Sequence, residues 1–71
     1  MHTITETIEW HRHPADLPDA DTTVLIELDP AFDYSEPVFL GFYGDGVWYD
    51  VHGDTVEVVA WAHMPKGTRG A

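Results

Sequence analysis

Cysteine is absent from this chain, serine occurs once, and lysine and arginine together number three. Without cysteine there is no disulfide framework, so a small fold must be held by its core alone. A reducing cytoplasm is the expected setting. The one serine, Ser35, lies in an Asp- and Pro-rich loop, and no serine-nucleophile motif surrounds it. The scarcity of Lys and Arg excludes direct nucleic-acid or anionic-membrane binding as an expected function, since both need cations against phosphate. Long apolar runs are missing as well. Val58 to Ala62 is typical, and far too short to span a membrane. The amino terminus, Met1-His2-Thr3-Ile4-Thr5-Glu6, has no basic region and no apolar run of signal-peptide length.

Acid is what the chain has in excess. Thirteen carboxylates face Arg12, Lys66 and Arg69, for a net charge of −10 over 71 residues. From Asp16 to Met64 there are eleven acids and no Lys or Arg. No internal cation of that segment can neutralise it, and such self-repulsion costs stability. Low hydrophobicity would make the chain disordered, but 44% of it is hydrophobic and 13% aromatic. A domain of this size buries only about 60% of its unfolded surface. Trp10, Trp48 and Trp61 are the large pieces from which to build a compact core.

The hydrophobic pattern is that of an antiparallel sheet, and the expected fold is mainly β. Four strands in meander order are expected, at roughly residues 22–28, 38–43, 47–51 and 55–63. Asp29-Pro30 ends the first, and Gly44-Asp45-Gly46 makes a short hairpin loop between the second and third. His52-Gly53-Asp54 turns into the fourth, which Met64-Pro65 stops because proline lacks the ladder donor. Both sheet faces carry apolar groups, so a second layer is expected, with residues 4–10 as cover. That segment reads as a fifth strand from its Thr and Ile content, or as a short helix from Thr3/Glu6 and Ile4/Ile8. Residues 1–65 are expected to form one domain, and 66–71 a frayed tail.

Trp10 followed by Leu17-Pro18, then Val24-Leu25-Ile26, Tyr43-Gly44-Asp45-Gly46 with Trp48, and finally Trp61-Ala62-His63-Met64-Pro65, form an ordered series. In order and spacing they resemble a small domain of unknown function common in phages and prophages. The resemblance covers about Trp10 to Pro65. It departs at Asp16, where the family often has a basic residue, and in the extra acids between Asp29 and Pro37. The resemblance implies a phage or mobile-element origin, a bacterial or archaeal host cytoplasm, and a Trp-built core. It carries no catalytic residue.

Three constellations remain. His11 and His13 share a face of an extended segment, and His2, His52 and His63 could join them, but Arg12 between them would repel a metal. They read as surface histidines, and no metal or other cofactor is expected. Asp50 with Glu57, or Asp29 with Asp33, could form an acid–base pair, but so small a domain leaves little room for the cleft that such chemistry needs. No catalytic residue is expected. The acids as a binding surface are the third. Asp29, Asp33, Glu36, Asp45, Asp50, Asp54 and Glu57, with Phe32 and Tyr34 as apolar anchors, are the expected partner contacts.

Duplex DNA carries one charge per roughly 1.7 Å, so proteins that hold it have basic grooves which an acidic domain can fill. Joined to the phage resemblance, this predicts an inhibitor of a basic DNA-binding host protein. An anti-CRISPR protein mimicking DNA before a CRISPR effector complex is the specific expectation. It would bind no nucleic acid or membrane itself and act as a monomer. The alternative is a phage accessory or structural domain that docks a partner through Trp48, Tyr49, Phe32 and Tyr34. In that case acidity serves solubility or salt tolerance.

Overall fold

The computed structural model of the chain describes Thr3 and residues 5–66. Among these there are six strands and no helix: β1 (His11–Arg12), β2 (Val24–Leu28), β3 (Val38–Gly44), β4 (Val47–Asp50), β5 (Thr55–Val56) and β6 (Val58–Ala62). They form one antiparallel sheet in the order β1-β6-β2-β3-β4-β5. The expected strands are present, but the fourth is two. Its halves are separated by Glu57 alone, yet β5 pairs with β4 and β6 pairs with β2. The order is therefore not a plain meander.

This split fixes the shape. In a flat sheet, β5 and β6 would lie four strand spacings apart, about 19 Å at about 4.8 Å each. One intervening residue spans at most about 7 Å between the flanking Cα atoms. The sheet must therefore curl until its two sides meet, with β5 and β6 as one interrupted strand closing the roll. A register shift between Glu27 and Leu28, opposite Val59, supplies the local irregularity that lets β6 bend.

Curling makes the second layer. Val24, Ile26 and Leu28 alternate inward on β2 and are buried, with Trp48, Val58 and Trp61 completing the core. Phe39, Tyr43, Tyr34 and Val56 pack against it, half-buried. Each aliphatic side chain so buried contributes about 1.5–3 kcal/mol relative to exposure. Gly41 is crowded by its neighbours on β2 and β4. A Cβ there would lie 2.7 Å from Ile26 Cδ1 and against the Tyr49 carbonyl oxygen, so only glycine fits. The outer face keeps Leu25 opposite Leu40, and Phe42 stacked on Tyr49 at 5.4 Å.

The expected cover, residues 4–10, does not serve as one. Residues 5–10 form no strand or helix and are exposed, and Trp10 is 41% exposed rather than in the core. Neither a helix nor a long fifth strand forms there, and Ile4 lies outside the described residues. Residues 11–16 cover the roll instead. Trp48 donates its indole N–H to His13 Nδ1 at 3.2 Å, and Trp61 donates to the Asp16 carbonyl at 2.8 Å. His11 stacks on Trp61 at 4.5 Å and reaches Asp16 at 2.7 Å. Burying an indole without a partner for its N–H is costly, so these acceptors fix where both tryptophans can sit. Of the expected tail, Lys66 donates its backbone N–H to Glu6 at 2.6 Å, and residues 67–71 lie outside the described part.

Candidate functional site

Direction along the sheet decides which acids meet. β2 and β4 run one way and β3 the other, so the connections 29–37 and 51–54 leave from one end. The Asp45-Gly46 hairpin lies at the other. β3 separates the two ends by six residue steps, about 20 Å at about 3.4 Å each.

At the first end, the 29–37 loop is folded on itself. Asp29 accepts the Ala31 N–H through Oδ1 at 2.9 Å, and its carbonyl accepts the Phe32 N–H at 3.1 Å. This local turn chemistry is what Asp commonly supplies before a proline. The loop is tied to the β5–β6 junction by two bonds. The Asp29 N–H donates to the Glu57 carbonyl at 2.9 Å, and the Glu57 N–H donates to Tyr34 Oη at 2.8 Å. Across from it, Asp50 Oδ1 accepts the N–H groups of His52 and Asp54, at 2.9 and 3.1 Å, shaping the β4–β5 turn.

Two grooves result. One, of about 360 Å³, has Leu28, Tyr34, Phe39 and Val56 as apolar wall and Glu36, Asp50 and Asp54 as carboxylates. His52, whose ring lies 5.7 Å from that of Phe39, also borders it. The other, of about 350 Å³, has Phe32 and Tyr34 with Asp29, Asp33 and Glu36. Tyr34 and Glu36 line both and so stand between them. Phe32 is 52% exposed, its ring 6.1 Å from that of Tyr34.

Of the nine expected contacts, eight are thus gathered at one end: Asp29, Asp33, Glu36, Asp50, Asp54, Glu57, Phe32 and Tyr34. Asp45 is not among them. It occupies the hairpin at φ 53°, followed by Gly46 at φ 78°, the two positive values that a twisted two-residue turn demands. Asp21, also left-handed at φ 62°, lies beside it, donating its N–H to the Tyr43 carbonyl at 2.9 Å. Trp48 is 4% exposed, so it is core and not available to a partner as the alternative reading supposes. Leu28, Phe39 and Val56 are site residues that the sequence reading omitted. Their inward alternation marks them as core, and nothing in the sequence shows that they line the open end of the roll.

The acids do not form one continuous face. Asp19, Asp21 and Asp45 collect at the hairpin end, and Glu27 lies opposite Val38 near the other end, bordering a groove with Arg12. Among the described residues, the one pairing of a carboxylate with a basic side chain is His11 with Asp16. No three metal-ligating side chains converge among the described residues, and no helix there is long and apolar enough to cross a membrane. Comparison with protein-family models, with curated proteins and with solved structures gave no match.

Proposed function

We propose that this protein works by binding and not by catalysis, and that its ligand is the basic surface of a DNA-binding host protein. The observation that carries the reading is the gathering of Asp29, Asp33, Glu36, Asp50 and Asp54 around two aromatic-walled grooves, with Glu57 at the same end and, among the described residues, no Lys or Arg lining either groove. Charge supports it too. The protein carries thirteen carboxylates against three basic side chains. A basic DNA-binding channel would meet an alternative polyanion, and the two would compete. The resemblance to phage and prophage domains makes the specific target a CRISPR effector complex, with the protein acting as an anti-CRISPR in the host cytoplasm, as a monomer. Both outermost strands, β1 and β5, are two residues long, which offers little edge for strand pairing between copies.

The test is competition. Added protein is expected to release duplex target DNA from a purified effector complex of the host, with affinity falling steeply as salt rises from 0.1 M, where the Debye length is about 10 Å. Simultaneous neutralisation of Asp33, Glu36, Asp54 and Glu57 should abolish release. Undiminished release by that variant would sink the proposal.

A second reading rests on a different surface. The outer face of β2, β3 and β4 carries Leu25, Leu40, Phe42 and Tyr49, with Val38 and Val47 40% and 37% exposed. An accessory phage protein that docks a structural partner would use this face, and Tyr49 is one of the aromatics expected of it. Binding that survives high salt but is lost in Phe42→Ser would favour this reading.

A further inference from the structure

The Tyr34–Phe39 groove differs from a patch of surface charge in having a wall. Tyr34 and Phe39 are half-buried aromatic rings, Leu28 is buried beneath them, and the cavity is about 360 Å³. That volume is at the low end of small-ligand sites, enough for one long side chain and not for a folded element. Glu36 and Asp54 are exposed at its border, and among the described residues neither carboxylate accepts a hydrogen bond. Asp50 is committed to the β4–β5 turn through the same oxygen twice, which leaves its other oxygen to the groove.

Resting on the reading of this end as the partner-binding end, we infer that the groove is a receptor for one arginine side chain of the partner. Charge complementarity requires a cation. The aromatic wall chooses between the two kinds. A guanidinium is planar, weakly hydrated and able to lie on an aromatic ring while its edge donates to carboxylates; an ammonium is a compact, strongly hydrated point charge. Glu36 and Asp54 supply acceptors for the guanidinium edge, and a two-point bond from one carboxylate fits the forked donor geometry. The alkyl stem then covers Val56, which is only partly buried at the groove. Generic acidity would bind arginine and lysine alike. A wall of rings beneath carboxylates does not.

The experiment uses the full chain, uniformly nitrogen-15 labelled, titrated with two peptides of equal length and charge. One carries two arginines spaced by glycine, the other two lysines, both capped at their ends and in about 0.15 M salt. The arginine peptide is expected to bind at least about threefold more tightly, an energy difference within the range of an exposed cation–π contact. Amide shifts should concentrate at residues 34–39 and 50–56. The double variant Glu36→Gln/Asp54→Asn should lose that preference while melting within a few degrees of the parent. The triple variant Asp19→Asn/Asp21→Asn/Asp45→Asn, which removes more charge from the opposite end, should keep it. Equal binding of the two peptides, shifts spread over both ends, or loss of preference in the triple variant would each overturn the inference. The two ideas fail separately. If Glu36→Gln/Asp54→Asn still displaces DNA from the effector complex in a salt-dependent way, the arginine site is wrong and the competition reading stands. If the arginine peptide binds as described but no DNA is displaced, the site stands and the host target is wrong.

Discussion

The two ends of the curled sheet are both acidic, but their acids are there for different reasons. At the hairpin end, Asp21 and Asp45 hold left-handed backbone positions that Asp and Asn tolerate better than most residues. Their charge accompanies a geometric duty. At the Tyr34 end, Asp29 and Asp50 have such duties in their turns, but the carboxylates of Asp33, Glu36, Asp54 and Glu57 accept no hydrogen bond among the described residues. Four such carboxylates at one end of the sheet raise the energy of the isolated protein through mutual repulsion and return nothing to its folding. The difference teaches where to look for a ligand: at acids that the backbone does not need.

Four experiments would break or sharpen that contrast, in descending size of effect. Neutralising Asp33, Glu36, Asp54 and Glu57 together should weaken competition with DNA by at least about a hundredfold, whereas Asp19, Asp21 and Asp45 together should cost less than about tenfold, since desolvated charge contacts outweigh distant ones. Equal losses would erase the distinction between the ends. Asp50→Ala should destabilise the fold by about 2 kcal/mol in urea unfolding, because two backbone N–H groups lose a charged acceptor. Glu36→Gln should leave stability unchanged or slightly raised in the same assay.

Tyr34→Phe removes the acceptor for the Glu57 N–H and should cost about 1 kcal/mol, read as a fall of about 4–8 °C in melting temperature. It should leave the aromatic wall, and hence peptide binding, largely intact. The smallest effect expected is at the hairpin. Asp45→Asn should be near neutral, while Asp45→Ala should cost about 1 kcal/mol for a left-handed residue without a short polar side chain, measured by thermal melting. A larger loss in Asp45→Asn than in Asp45→Ala would show that charge, not backbone shape, holds that acid in place.

The contrast also shows what the sequence could and could not tell. Strands β2, β3 and β4 and the Asp45-Gly46 turn were legible because alternation and turn chemistry are local. The break at Glu57 was not, since Thr55 to His63 alternates as one strand would, and only the closing of the roll interrupts it. Trp10 was misjudged as core because an indole satisfies hydrophobicity wherever a groove or solvent-facing ledge accepts it. Residues 11–16 were not seen as cover because their duty is to supply two acceptors to indole N–H groups far along the chain. Asp45 was grouped with the wrong acids although the alternating strand direction already separates it from Asp29 and Asp54. The grooves themselves depend on Tyr34 reaching Glu57, a pairing that no spacing rule supplies.

The interrupted strand has a consequence for how the molecule comes into being. β6 lies between β1 and β2, and it joins Leu25 to Ala62, from opposite halves of the chain. Until it arrives, β2, β3 and β4 form an open three-stranded ribbon whose inner rings and aliphatic groups face water. The protein therefore gains its interior only once β6 has paired, and distant pairings of this kind are slow to form. During that interval the acids keep nascent copies apart, so the same repulsion that strains the finished molecule protects the unfinished one from its neighbours.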